Sequence, residues 1–185
     1  MDNSYLQHYG IKGQKWGVRR FQDKSGRLTS AGKKRYNESY SFTTKRGEKL
    51  SLERYETPKL TRALAKVSPK VRTNVDNTYH YKLKNSKGKV VGDYQLHKDS
   101  PDEMNMVWGS VDQKYQGRGY MTAMMKQGEL IAKKYGATKM TGEVVGNSPD
   151  MLHIAEKAGY VKLGEVRTQE VLDMWGGLTL IEKKL

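Results

Sequence analysis

Polar and apolar side chains alternate through the middle of this chain. Tyr79, Tyr81 and Leu83 recur at every second position, which predicts a strand over Thr78–Lys84. Asn85-Ser86-Lys87-Gly88 is turn-forming, so Lys89–His97 is expected to return beside that strand. Asp99–Asp102 reads as a second turn and Glu103–Asp112 as a third strand. Upstream, Leu50 and Leu52 mark a strand over Lys49–Glu56, and Pro58–Val67 reads as a short helix with proline in its first turn. After Gln116 the period lengthens. Met121, Met124, Met125, Gly128, Ile131, Ala132 and Tyr135 fall at helical steps, with Gly136 as the stop. Thr138–Val145 returns to strand. Ser148-Pro149 opens a second helix that ends at Gly159. Tyr160–Val166 and Leu178–Lys184 are expected to close the sheet.

This order predicts an α/β (α+β) domain in which helices flank a mixed, mostly antiparallel sheet. The first 40 residues differ. They hold nine Lys and Arg against three acidic residues, and Gly10, Gly13, Gly17, Gly26 and Gly32 interrupt any helix. Residues 1–40 therefore read as an irregular basic arm and 41–185 as the folded domain.

Composition narrows the chemistry. With no cysteine, disulfide scaffolds, thiolate metal sites and cysteine nucleophiles are excluded. His80, His97 and His153 have no metal-ligand spacing, so no metal is expected. A formal charge of +14 points to an anionic partner: nucleic acid, a phosphorylated cofactor or an acidic protein surface. No apolar run is long enough to span a bilayer, and Met1–Tyr9 lacks the apolar core of a signal peptide. No membrane association and an intracellular site of synthesis are the expectations.

One segment carries candidate chemistry. Gln116-Gly117-Arg118-Gly119-Tyr120-Met121-Thr122 lies between a predicted strand and a predicted helix. The first amides of that helix lack intrahelical acceptors, and the helix dipole there favours anions. Gly117 and Gly119 let backbone approach a ligand, and Arg118 adds a cation. Read alone, such a run is either a phosphate loop or only a turn.

Two motifs decide between these readings by resemblance. Gln116–Met121 resembles the Arg/Gln-x-x-Gly-x-Gly/Ala signature of the GNAT superfamily of N-acetyltransferases, with Met121 in place of the small last residue. Val111-Asp112 falls where that family carries Val-Asp-Pro. Leu152-His153-Ile154-Ala155-Glu156-Lys157-Ala158-Gly159-Tyr160 resembles its second signature, Ala-Glu-Lys-Leu-Gly-Phe. The resemblance implies a GNAT-like sheet and acetyl-CoA as co-substrate, with acetyl transferred directly to an amine. It also implies that the strands over Glu103–Asp112 and Thr138–Val145 splay around the pantetheine arm. Backbone groups of Ser110 and Val111 would then pair with that arm. The amides of Arg118, Gly119, Tyr120, Met121 and Thr122, in the loop opened by Gln116 and Gly117, would take the pyrophosphate.

Catalytic residues carry over poorly. Many relatives place an acid tyrosine on the second helix, where this chain has Ala155. Tyr160 is a candidate acid, and Glu143 and Glu103 are candidate bases; each also reads as packing aromatic or surface carboxylate. Asn147 is a candidate pantetheine ligand, and Ser148 reads as a helix cap.

The run from His8 to Tyr36 resembles a short N-terminal segment of tailed-phage proteins encoded near head genes, which implies a docking or packaging tag. Trp16 and Phe21 among Lys15, Arg19 and Arg20 could seat in a protein groove or stack on bases. The expected protein is a phage-encoded N-acetyltransferase in the host cytoplasm, packaged in or attached to the virion. The alternatives are a virion accessory protein that keeps the fold without the chemistry, and a nucleic-acid-binding protein. The acceptor amine has no signature.

Overall fold

Eight strands make one sheet in the computed structural model, which describes residues 38–55, 76–146 and 148–185. In chain order they are β1 (Ser39–Thr43), β2 (Lys49–Tyr55), β3 (Thr78–Asn85), β4 (Val90–Lys98), β5 (Glu103–Val111), β6 (Lys139–Val145), β7 (Val161–Val166) and β8 (Leu178–Lys184). Among the described residues, three α-helices with both ends described accompany them: α1 (Tyr120–Lys134), α2 (Pro149–Lys157) and α3 (Gln169–Trp175). Across the sheet the order is β1-β2-β3-β4-β5-β6-β8-β7. Every neighbouring pair is antiparallel except β5 and β6, which run parallel because α1 carries the chain back between them.

The alternation read from the sequence sets which face is buried. Leu52, Leu83, Tyr81, Tyr94 and Leu96 are fully buried on one side of the sheet. They are cross-strand partners: Leu52 opposes Leu83, and Tyr81 opposes Tyr94. Helix α1 contributes Tyr120, Met124, Met125, Gly128, Ile131 and Ala132 to the core. Full burial of a methionine stabilises by about 1.5–3 kcal/mol. Gly128 has a steric purpose, because a Cβ there would lie 2.0 Å from the Tyr94 hydroxyl. Tyr79 and Tyr135 pack with ring centroids 4.5 Å apart, joining β3 to the end of α1.

Both expected helix stops are Schellman turns. Ala137 and Gly136 amides return to the carbonyls of Ala132 and Lys133, and Tyr160 and Gly159 repeat this on Ala155 and Glu156. Ser148 caps α2 by accepting a hydrogen bond from the Met151 amide at 3.5 Å. Two elements go beyond the sequence expectation. Strand β1 is a five-residue edge in which Tyr40 and Phe42 pack on the core. Helix α3 spans seven residues, capped by Thr168 and stopped by Gly176 at φ 68°. The expected helix over Pro58–Val67, residues 1–37 of the expected arm and Asn147 lie outside the described residues, and Ser39 and Tyr40, read as the end of that arm, already belong to β1. Among the described residues, no helix is long and apolar enough to cross a membrane.

Candidate functional site

The sheet opens at one place. β5 and β6 pair in register from Glu103–Lys139 to Met106–Gly142, and the ladder ends there. The cause lies on the other edge of β5. Opposite β4, Trp108 pairs with Gln95 while Met106 pairs with Leu96, so Val107 is one residue too many. Such a bulge bends its strand and increases its twist. Beyond it β6 continues only with β8, through Glu143–Leu180 to Val145–Leu178. Val107 and Trp108, uncovered by the divergence, are 47% and 46% exposed. Past Met106, the β6-facing edge of β5 has no ladder partner among the described residues and can pair with an extended ligand.

At the end of β5 the chain makes a short 3₁₀ turn over Gln113–Tyr115 and enters α1 through a glycine loop. Gly117 and Gly119 have φ of 71° and 78°, values an L side chain rarely adopts. A Cβ on either would meet nothing within 4 Å, so open space faces this side of the loop. Gly119 is the N-cap residue and supplies no side-chain acceptor. The Ala123 amide bonds to the Gly119 carbonyl, which leaves the amides of Tyr120, Met121 and Thr122 ahead of the first helical bond.

These parts line one cleft of about 680 Å³. Trp108, Gly109, Ser110 and Val111 form its β5 wall, and Gln116, Gly117, Gly119, Tyr120, Met121 and Thr122 its loop. The opposite wall comes from Ser148 and the first turns of α2, with Asp150, Met151, His153 and Ile154. An extended edge running into free amides at a helix N-terminus suits a ligand with an amide-bearing arm ending in phosphates.

Comparisons with known proteins agree with this geometry. The model of the Acetyltransferase (GNAT) family matches residues 44–160. The chain belongs to the GNAT acetyltransferase family. Residues 1–23 match a family of unknown function (DUF7211). No curated protein matches. Among solved structures, an IAA acetyltransferase from Bacillus cereus ATCC 14579 is 21% identical with a TM-score of 0.58, covering 74% of this chain and 99% of that one. A GNAT family acetyltransferase from Elizabethkingia anophelis with acetyl-CoA bound is 16% identical, TM-score 0.58, covering 74% and 98%. An acetyltransferase from Bacillus subtilis in complex with CoA is 16% identical, TM-score 0.54, covering 74% and 97%.

Within this GNAT domain the predicted loop residues separate by role. The Gln116 side chain donates from Nε2 to the Val111 carbonyl at 3.2 Å and braces the loop against β5. The Tyr120 ring is buried, and its hydroxyl donates to Glu48 at the tip of the β1–β2 hairpin. Burial, helped by that carboxylate, raises the Tyr120 pKa. The side chain of Arg118 turns away from the cleft towards Glu48, at 3.9 Å, and over the Tyr115 ring. Met121 packs partly into the core with its sulfur by Gly109, where an added Cβ would lie 3.4 Å from it. The large side chain in the family's small position thus lies against Gly109 on the facing strand, at ordinary van der Waals distance from where a Cβ would stand.

The acid and base candidates do not assemble. Tyr160 is 5% exposed, lies under the Lys183 ammonium and does not line the cleft. Burial, with Glu129 nearby, pushes its hydroxyl well above the usual phenol range. Glu103 sits at the far end of β5, bound to Lys139 at 3.0 Å and to the Thr141 hydroxyl at 3.3 Å. Glu143 follows Gly142, the last β6 residue paired with β5, and is exposed, and its carboxylate pairs with none of the described side chains. Ala155 is buried and has no titratable group. His153 and Asp150, on the α2 wall, are titratable side chains to which sequence reasoning gave no acid or base role, because nothing in their spacing ties them to the loop.

Proposed function

We propose that this protein transfers the acetyl group of acetyl-CoA to an amine. The observation that carries the reading is the continuity of two features in one cleft: the free edge of β5 beyond the Val107 bulge, and the free amides at the start of α1. In the transfer, a neutral amine forms a bond to the thioester carbon and gives up one proton, the carbon–sulfur bond breaks, and the thiolate takes up one proton, leaving amide and free thiol.

The chain's own part is mostly positioning. Ser110 and Val111 present backbone along the pantetheine, and the amides of Gly119, Tyr120, Met121 and Thr122 hold the pyrophosphate. Support for Glu143 as the acceptor of a proton from an incoming ammonium, through water, is its exposure one residue beyond the end of the β5–β6 ladder. Support for His153 as proton donor to the thiolate is its place on the opposite cleft wall. A discontinuous assay for free thiol release, run with an amine panel and mass detection of acetylated product, tests the reading. Cofactor binding without product from any acceptor would favour the non-catalytic alternative, which the alanine at position 155 motivates.

For the arm, the nine cations among the first 40 residues support a docking role on an acidic surface. We extend the proposal to virion association of a phage-encoded enzyme through residues 8–36. Retention of the full chain by purified phage heads, lost on deleting residues 1–37, is the expected result. Retention by DNA alone, falling steeply with salt, would instead assign the arm to nucleic acid.

A further inference from the structure

A second recess lies behind the glycine loop. Gly117 and Gly119 line the cleft, whereas Arg118, between them, lines a separate hollow of about 640 Å³. Tyr115 and Tyr120 belong to both walls, so the two cavities meet across that loop. Three lysines from two hairpins complete the hollow: Lys49 beside the β1–β2 tip, and Lys87 and Lys89 at the β3–β4 tip.

These cations are concentrated and available. None of the three lysines forms an ion pair among the described residues, unlike Lys82 and Lys84 on the adjoining strand, which pair with Asp93 and Glu53. The hollow's carboxylate, Glu48, already accepts from the Tyr120 hydroxyl and faces Arg118. Four cations against one engaged carboxylate leave a net positive site. The β3–β4 tip is also fixed in place. Asn85 Oδ1 accepts from the Lys87 and Lys89 amides at 3.0 and 3.1 Å, so both lysine stems start from a bound turn.

We infer that this recess receives the 3′-phosphate of the adenosine moiety, making Lys49, Lys87, Lys89 and Arg118 the residues that distinguish coenzyme A from its 3′-dephospho form. The inference rests on the acetyl-CoA reading above. A ligand whose pyrophosphate lies on the loop amides has its next phosphate one ribose away, and the cationic hollow adjoins those amides. Charge-assisted contacts of this kind bind strongly and are weakened by salt.

The test is calorimetric titration of the full chain with acetyl-CoA and with acetyl-3′-dephospho-CoA at low salt. The expected result is a preference for acetyl-CoA on the order of tenfold or more. In the Lys87→Ala/Lys89→Ala variant the preference should shrink to within about twofold, and high salt should shrink it in the parent. A thermal melt of the variant checks that the fold is intact, since both side chains are exposed. Equal affinity of the parent for the two ligands overturns the inference and leaves the cofactor reading standing. So does an undiminished preference in the double variant and in Lys49→Ala. If neither ligand binds the parent, the cofactor reading itself fails and the inference falls with it.

Discussion

Replacing Gly119 by alanine isolates the contribution of the loop. At φ 78° an L residue is strained, and no atom within 4 Å of the new Cβ adds a clash. The cost in the free protein is therefore backbone strain alone, about 1–2 kcal/mol. A domain of this size should lose a few degrees of Tm, roughly 2–4 °C per kcal/mol. The effect on ligand should be larger. If the chain relieves strain by moving φ, the amides of Tyr120 to Thr122 no longer converge, and losing one charge-assisted bond costs about 1.5–3 kcal/mol. That corresponds to roughly 10- to 100-fold weaker acetyl-CoA binding. Gly136→Ala is the matched control: φ is 87°, the nearest atom to the new Cβ is the Pro101 carbonyl at 3.9 Å, and the site is at the other end of α1. Melting curves and isothermal titration on both variants check the argument. Similar losses of Tm with a binding defect confined to Gly119→Ala are expected. Unchanged affinity in Gly119→Ala, or an equal defect in Gly136→Ala, would refute the loop's assignment.

Further outcomes follow from the same geometry. Glu48→Ala leaves the buried Tyr120 hydroxyl without its acceptor and should destabilise by about 1–3 kcal/mol; Glu48→Ala/Tyr120→Phe should recover part of that in urea melts. Gly128→Ala drives a methyl into Tyr94 and should cost on the order of 1–3 kcal/mol or prevent folding, read by chemical denaturation. Tyr160→Phe should keep acetyl transfer within about twofold of the parent, because Tyr160 does not line the cleft; a kcat loss above tenfold with unchanged KM would restore it as an acid. Burial raises the pKa values of Tyr94, Tyr120 and Tyr160 in the folded chain, so the unfolded chain loses these protons first. The urea midpoint should be insensitive to these groups below about pH 10 and fall as pH rises beyond it; a midpoint that rises there contradicts the burial argument.

Much of the sheet was legible because its strands alternate cleanly. Tyr79, Tyr81 and Leu83 announce β3, and the turn residues Asn85–Gly88 set the β4 register. The glycine loop was legible in part for a local reason: two glycines between a predicted strand and a predicted helix point to helix-start amides open to a ligand, but a plain turn reads the same until the two family motifs are set beside them. The opening between β5 and β6 could be expected only through resemblance, since no residue in Met104–Ser110 announces a bulge at Val107. Strand β1 escaped because a five-residue alternation is short, and α3 because seven residues hold barely two helical turns. The Glu48 contacts were invisible for a different reason. Its partners Arg118 and Tyr120 are 70 and more residues away, and only the fold brings the β1–β2 tip to the loop. The failure of Glu103, Glu143 and Tyr160 to converge has the same origin: single carboxylates and phenols carry no positional information until the strands are paired.

Calorimetric titration of the full chain with acetyl-CoA tests most directly whether the β5 edge and the α1 amides form one acetyl-CoA site. Saturable binding at one site per chain, with a Kd between about 1 µM and 1 mM and strongly weakened by Gly119→Ala, is the predicted result. No heat at millimolar acetyl-CoA, from a chain shown by its melting transition to be folded, would contradict it.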